Sequence, residues 1–132
     1  MNYLTFQDGQ PLLYNEQRTL LASVERTVTT SSEDQENRMG RGLFVHFKVT
    51  AGDEGFSAVL KIEGKNAAGV YFTLLEGAAV TTVSDNLYIV APWAANTSNV
   101  SAAKMIPKEW RITVTPADDK GITYAVYADL GV

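Results

Sequence analysis

Arg41-Gly42-Leu43-Phe44-Val45-His46-Phe47-Lys48-Val49-Thr50 decides the fold class. Leu43, Val45, Phe47 and Val49 fall on one phase of a two-residue repeat, and Phe44, His46 and Lys48 fall on the other. That period is the signature of a β-strand with one face buried. The same repeat returns on both sides of this stretch. In Phe56–Lys65 the inward phase is Phe56, Ala58, Leu60 and Ile62. In Glu109–Pro116 it is Trp110, Ile112 and Val114, and in Gly121–Leu130 it is Ile122, Tyr124, Val126 and Ala128. Thr19–Thr29, Val70–Glu76 and Asn86–Ala91, with a short piece at Ala78–Val83, are weaker runs rich in β-branched and aromatic residues, which suit a pleated surface.

Turn signals separate the runs: Gly52-Asp53-Glu54-Gly55, Asn66-Ala67-Ala68-Gly69 and Ala117-Asp118-Asp119-Lys120-Gly121. No stretch keeps a helical period, although Ser101–Met105 has room for one turn ahead of Pro107. Sheets without helices must cover their apolar faces with other sheets. The expectation is therefore an all-β domain, an antiparallel β-sandwich or jelly roll of about seven to eight strands. A closed barrel satisfies the same pattern. The repeat divides the chain into an N-terminal arm, residues 1–18, and a β-sandwich domain, residues 19–132. The arm lacks clean alternation yet carries Tyr3, Leu4, Phe6, Leu12, Leu13 and Tyr14, an apolar set that needs a surface to cover. That surface is its own sandwich or a neighbouring subunit. Ser31–Met39, with Glu33, Asp34, Glu36 and Arg38, reads as a solvated loop.

A chain of 132 residues fits one domain and buries roughly two-thirds of its unfolded surface without staples. It has no cysteine, which removes disulfides, thiolate metal sites and cysteine nucleophiles. The formal charge of −4, with scattered basic residues, argues against nucleic acid as a partner. No apolar run approaches the roughly 20 residues of a membrane span, and Met1–Asp8 does not read as a secretory signal. The sequons at Asn96 and Asn99 read as chance matches.

The search for chemistry yields little. His46 is the only histidine. It stands mid-strand between Phe44 and Lys48 without a carboxylate nearby in sequence, which suits cross-strand packing better than catalysis. Glu33, Asp34 and Glu36, then Asp53-Glu54, then Asp118-Asp119 are loop acids without the facing geometry of a glycosidase pair or the spacing of a calcium loop. Gly40-Arg41-Gly42 leads into a strand, not into the helix N-terminus that cradles phosphate. The expectation is a non-enzyme with no cofactor and no metal. Trp110 shares the phase of Ile112 and Val114 and belongs to the core. Trp93 follows Pro92 at a strand end, where an indole can fill a partner's pocket, stack on a sugar or plug the core.

Several of these segments, in order, resemble a group of small tailed-phage virion proteins encoded among head and tail genes. The resemblance runs through Thr19-Leu20-Leu21-Ala22-Ser23, Arg41–Thr50, Leu60–Lys65, Tyr71–Leu75, Ile106-Pro107-Lys108-Glu109-Trp110-Arg111-Ile112 and Ile122–Val126. It leaves out the arm. It implies a bacteriophage structural protein of the virion, made in the host cytoplasm. The expected role is capsid decoration, binding the major capsid protein on the outside of the head and self-associating as a dimer or trimer. A head–tail or tail position suits the same resemblance, and a carbohydrate- or receptor-binding module, with Trp93 beside Tyr88 or Tyr71, is the alternative. The expected partner contacts are Tyr3, Phe6, Leu12, Leu13, Tyr14 and Trp93.

Overall fold

A computed structural model describes residues 4–7, 10–13, 15–38 and 40–131, with side chains for 15–38 and 40–131. The described residues form strands and turns without a helix. In chain order the strands are β1 (Leu4–Gln7), β2 (Gln10–Leu13), β3 (Glu16–Arg26), β4 (Thr30–Ser31), β5 (Gln35–Glu36) and β6 (Gly42–Gly52). They continue with β7 (Ala58–Lys65), β8 (Tyr71–Glu76), β9 (Ser84–Val90), β10 (Ser101–Ala102), β11 (Glu109–Pro116) and β12 (Ile122–Gly131).

Two five-stranded sheets result. The first runs β10-β9-β6-β12-β3; the second runs β4-β11-β7-β8, with β5 also on β11. Only the short β10–β9 contact is parallel. The pairings nest: β3 with β12, β4 with β11, β6 with β9, and β7 with β8. The β6–β12 and β7–β11 ladders then join these nested pairs side by side.

The core lies where the inward phases meet. Leu43, Val45, Phe47, Val49, Tyr88, Val90, Tyr124 and Val126 come from the first sheet. Leu60, Ile62, Leu75, Trp110, Ile112 and Val114 come from the second. Each large side chain removed from water stabilises the fold by about 1.5–3 kcal/mol. Phe47 meets Tyr124 edge to face, ring centroids 5.2 Å apart. Trp110 is 0% exposed, and its Nε1 has no hydrogen-bond partner among the described residues. That costs about 1–3 kcal/mol, offset by burial of the ring.

The edges depart from the sequence reading. The sheets contain short pieces at β4, β5 and β10, too brief for alternation to reveal. Ser31–Met39 is not simply a solvated loop. Thr30–Ser31 and Gln35–Glu36 pair with β11. Buried Ser32 bridges them: its amide donates to Ile112 O at 2.9 Å, and its hydroxyl accepts from Ile112 N at 3.1 Å. Met39 lies outside the described residues. Ser101–Met105 forms no helical turn; Ser101–Ala102 extends beside β9 instead. Within Ala78–Val83 only Val80 pairs, bridging to Ala58.

β3 begins at Glu16, so the sheet takes in Glu16, Gln17 and Arg18 at the end of the leading segment. Two register shifts interrupt its ladder with β12, which hides the strand's period. Arg18 makes its polar inward position tenable. Its guanidinium donates to Glu16 Oε2 at 2.8 and 3.0 Å, to Gln35 Oε1 at 3.4 Å and to Glu36 O at 3.1 Å, tying the edge of the first sheet to the second. Further along, Arg26 donates to the carbonyls of Ala22, Val24 and Tyr124 beside a ladder irregularity. Arg18→Ala should cost about 1–2 kcal/mol in urea unfolding, since it strands partly buried acceptors. An unchanged midpoint would remove this clamp from the account.

Candidate interaction surface

The outward phase of the first sheet is unusually apolar for a sandwich exterior. Register aligns Thr19, Tyr127, His46 and Leu87 in one row across β3, β12, β6 and β9. Gln17, Asp129, Phe44 and Ile89 form the next row. Phe44, Tyr127 and Leu87 are exposed, at 39%, 40% and 43%. Trp93 joins them from the loop after β9, 61% exposed. Its indole lies against Gly42: a Cβ on that glycine would come within 2.8 Å of Trp93 Cζ2. The missing side chain lets the ring rest on β6 while much of it stays in solvent.

A cleft of about 330 Å³ opens between Trp93, Phe44, Asn15, Gln17 and Asp129. A second hollow of about 370 Å³ adjoins it over Tyr127 and His46 and shares Gln17 and Asp129. His46 Nε2 stands 3.8 Å from Asp129 Oδ2, so the carboxylate missing in the sequence comes from the neighbouring strand. Apolar side chains with a rim of amide, carboxylate and imidazole groups can be desolvated by a partner at low cost.

The second sheet presents the opposite chemistry. Asp34 accepts hydrogen bonds from Lys65 Nζ at 2.8 Å and from the Tyr71 hydroxyl at 2.5 Å. The Arg111 guanidinium stacks 3.5 Å from the Tyr71 ring centre and donates to Glu63 at 3.1 Å. Glu63 also accepts from Thr113, which bonds Ser31. These groups largely satisfy one another. Lys65 and Tyr71 donating to Asp34 hold its carboxyl below the usual carboxylate range. The same contacts raise Lys65 and Tyr71.

Of the residues expected to touch a partner, Tyr3 and Tyr14 lie outside the described residues. Phe6, Leu12 and Leu13 are placed by backbone alone, in the antiparallel β1–β2 pair. Trp93 sits in the exposed patch. The platform imagined for a sugar fails: Tyr88 points into the core, where burial pushes its phenol up to about 12, and Tyr71 belongs to the other sheet. Phe44, Leu87, Ile89 and Tyr127 share the face of Trp93 without having been among the expected residues, although Phe44 stands out in the sequence as an aromatic on the polar phase of its strand. The loop acids shape turns. Asp118 bonds Lys120 through its amide and ammonium, and Asp53 accepts from Gly121 N at 2.8 Å. Among the described residues, no three His, Cys, Asp or Glu side chains gather closely enough to hold a metal ion. No family model matches the chain, and no curated protein matches it significantly.

Two outcomes follow from this geometry. Asp34, with its depressed pKa, contributes stability that is complete above its ordinary value of 3.8 and is lost as pH falls below it. Lys65 and Tyr71, both raised, contribute below their ordinary values of 10.5 and 10.0 and lose that contribution as pH rises through their folded pKa values. Asp34→Asn should flatten the acid limb of the stability curve below the ordinary carboxylate value of 3.8, read by thermal melts across pH. An unaltered limb would disprove the coupling. Gly42→Ala should lift the indole and raise iodide quenching of Trp93 fluorescence, whereas unchanged quenching would mean that the ring does not rest there.

Proposed function

We propose that the chain is an accessory structural protein of a tailed-phage virion. In this reading it decorates the outside of the head by binding the major capsid protein through the outward face of its first sheet. The observation that carries the reading is the contrast between faces. One exterior is a self-satisfied polar network, and the other exposes Phe44, Leu87, Tyr127 and Trp93 together. Such an imbalance suits a one-sided binding module. The virion setting rests on the resemblance of the strand segments to small phage head and tail proteins.

The strand order supports reading the sandwich as a jelly roll. With the two-residue β10 set aside and β4 and β5 taken as one broken strand, eight strands remain, paired first with last, second with seventh, third with sixth and fourth with fifth. This is a ribbon folded in half and rolled, an architecture common among capsid and lectin domains. The fold by itself assigns no partner. Decoration works by mass action. Each bound copy adds an interface that exists only in the assembled shell, so the shell is stabilised relative to its parts. Repetition over many copies lets each contact remain modest.

The test is co-sedimentation with expanded heads and, separately, with tails of the phage encoding the chain. Leu87→Asp puts a charge at the β9 end of the apolar face and should weaken head binding by about tenfold or more while leaving the melting profile intact. Tight binding that survives this substitution would eliminate the face. Binding to tails alone would move the protein to the tail.

A further inference from the structure

Two glycines stand side by side where the outward phase of the first sheet calls for side chains. Gly42 on β6 pairs with Gly131 on β12, and both share the phase of Phe44 and Asp129, two residues away on the same strands. Gln17 extends the Phe44–Asp129 row onto β3. Asn15, one step of the repeat earlier, stands beside Gly131: a Cβ on that glycine would lie 3.5 Å from Asn15 Oδ1. On the far side the Trp93 indole covers Gly42. The paired vacancies leave a trough floored by backbone, with an indole for one wall and a carboxamide for the other. Phe44, Asp129 and Gln17 close one end. This trough is the cleft of about 330 Å³ described above.

We infer that the trough is a binding site for a short neutral oligosaccharide, with one pyranose ring seated between Trp93 and Asn15.

The lining matches the two kinds of surface that a pyranose carries. C–H groups make one face of the ring apolar, and the indole, 61% exposed, offers a flat apolar surface to receive it. Hydroxyls surround the ring, each able to donate and accept. The carboxamides of Asn15 and Gln17 also do both, and the Asp129 carboxylate accepts. A cationic side chain fits less well. Lys and Arg bring donors without acceptors, which leaves the carboxamide N–H groups facing other donors, and His46 Nε2 already stands 3.8 Å from Asp129 Oδ2. The volume falls at the lower end of small-molecule pockets, about 300–1,000 Å³. Gly131 adds an independent sign. Its φ is not in the left-handed region, and a contact at 3.5 Å is ordinary. Backbone and packing therefore both admit a side chain at this position, and its absence is what leaves the trough open. Neither Tyr88 nor Tyr71 takes part.

The site stands apart from the part of the face marked by Leu87. Leu87 pairs with His46, four residues along β6 from Gly42, about 14 Å away along the strand.

The full chain is titrated with short oligosaccharides of glucose, galactose, mannose and N-acetylglucosamine while tryptophan emission is followed. Trp110 is 0% exposed, so a shift reports on Trp93. At least one of these sugars should give a saturable blue shift. Trp93→Ala and Gly131→Val, read by calorimetry, should each weaken that binding by about tenfold or more and keep a cooperative melt. Gly131→Val fills the floor from the side away from the indole, so it separates a ring seated in the trough from one stacked elsewhere on Trp93. Asp129→Asn keeps an acceptor and should keep most of the affinity. Absence of saturable binding to every sugar overturns the site, as does binding that survives both Trp93→Ala and Gly131→Val. Saturable binding of arginine amide that Asp129→Asn abolishes would overturn it as well, in favour of a cationic side chain. A chain that binds no sugar yet sediments with heads loses this site and keeps the decoration reading.

Discussion

Two sheets about 10 Å apart can share one dry interior only if the strands at its centre keep their apolar residues in a single phase. The rest of the structure answers to that requirement. β6, β7, β11 and β12 meet it, and their inward residues fill the core from Leu43 to Leu130. Trp110 illustrates its strength, because the ring is buried although its Nε1 finds no partner among the described residues. Once the interior is filled, turns, edges and exteriors adjust to it: Gly52 passes so close to Phe56 that a Cβ would run into the ring.

The exteriors are free of that requirement, and they differ. On the second sheet Asp34, Lys65, Tyr71, Arg111 and Glu63 bind one another. A partner would have to break those bonds before forming its own, which makes the face a poor docking site. On the first sheet Phe44, Leu87, Tyr127 and Trp93 are exposed, so covering them releases water from apolar surface. The edges are managed separately. Register shifts distort β3, and Arg26 occupies carbonyls near the irregularity. Such features discourage indiscriminate strand addition.

Much of the fold was legible because alternation is a long-range signal carried by many residues. The four strongest runs became the four strands that fill most of the core, with ends shifted by a residue or two. What stayed hidden was either too short or too irregular. Two-residue pieces cannot show a period, and Ser32 is buried for its hydrogen bonds, not for hydrophobicity. The β1–β2 ribbon broke the pattern through Pro11. The exposed apolar face was only partly legible for another reason. One strand tells which residues face outward, but only register between strands tells that Tyr127, His46 and Leu87 stand side by side. Trp93 drew attention by its chemistry, whereas Leu87 looked ordinary until its neighbours were known.

The pairing of β3 with β12 sets Glu16 beside Leu130, almost the full described length of the chain apart. Ladders of such large sequence separation form slowly, after their loops have closed. Gln17, Asp129, Phe44 and Ile89 become a row only when the last strand slots between β3 and β6. The row of outward groups across the first sheet is therefore a late product of folding, complete only after the ladder of greatest sequence separation has closed.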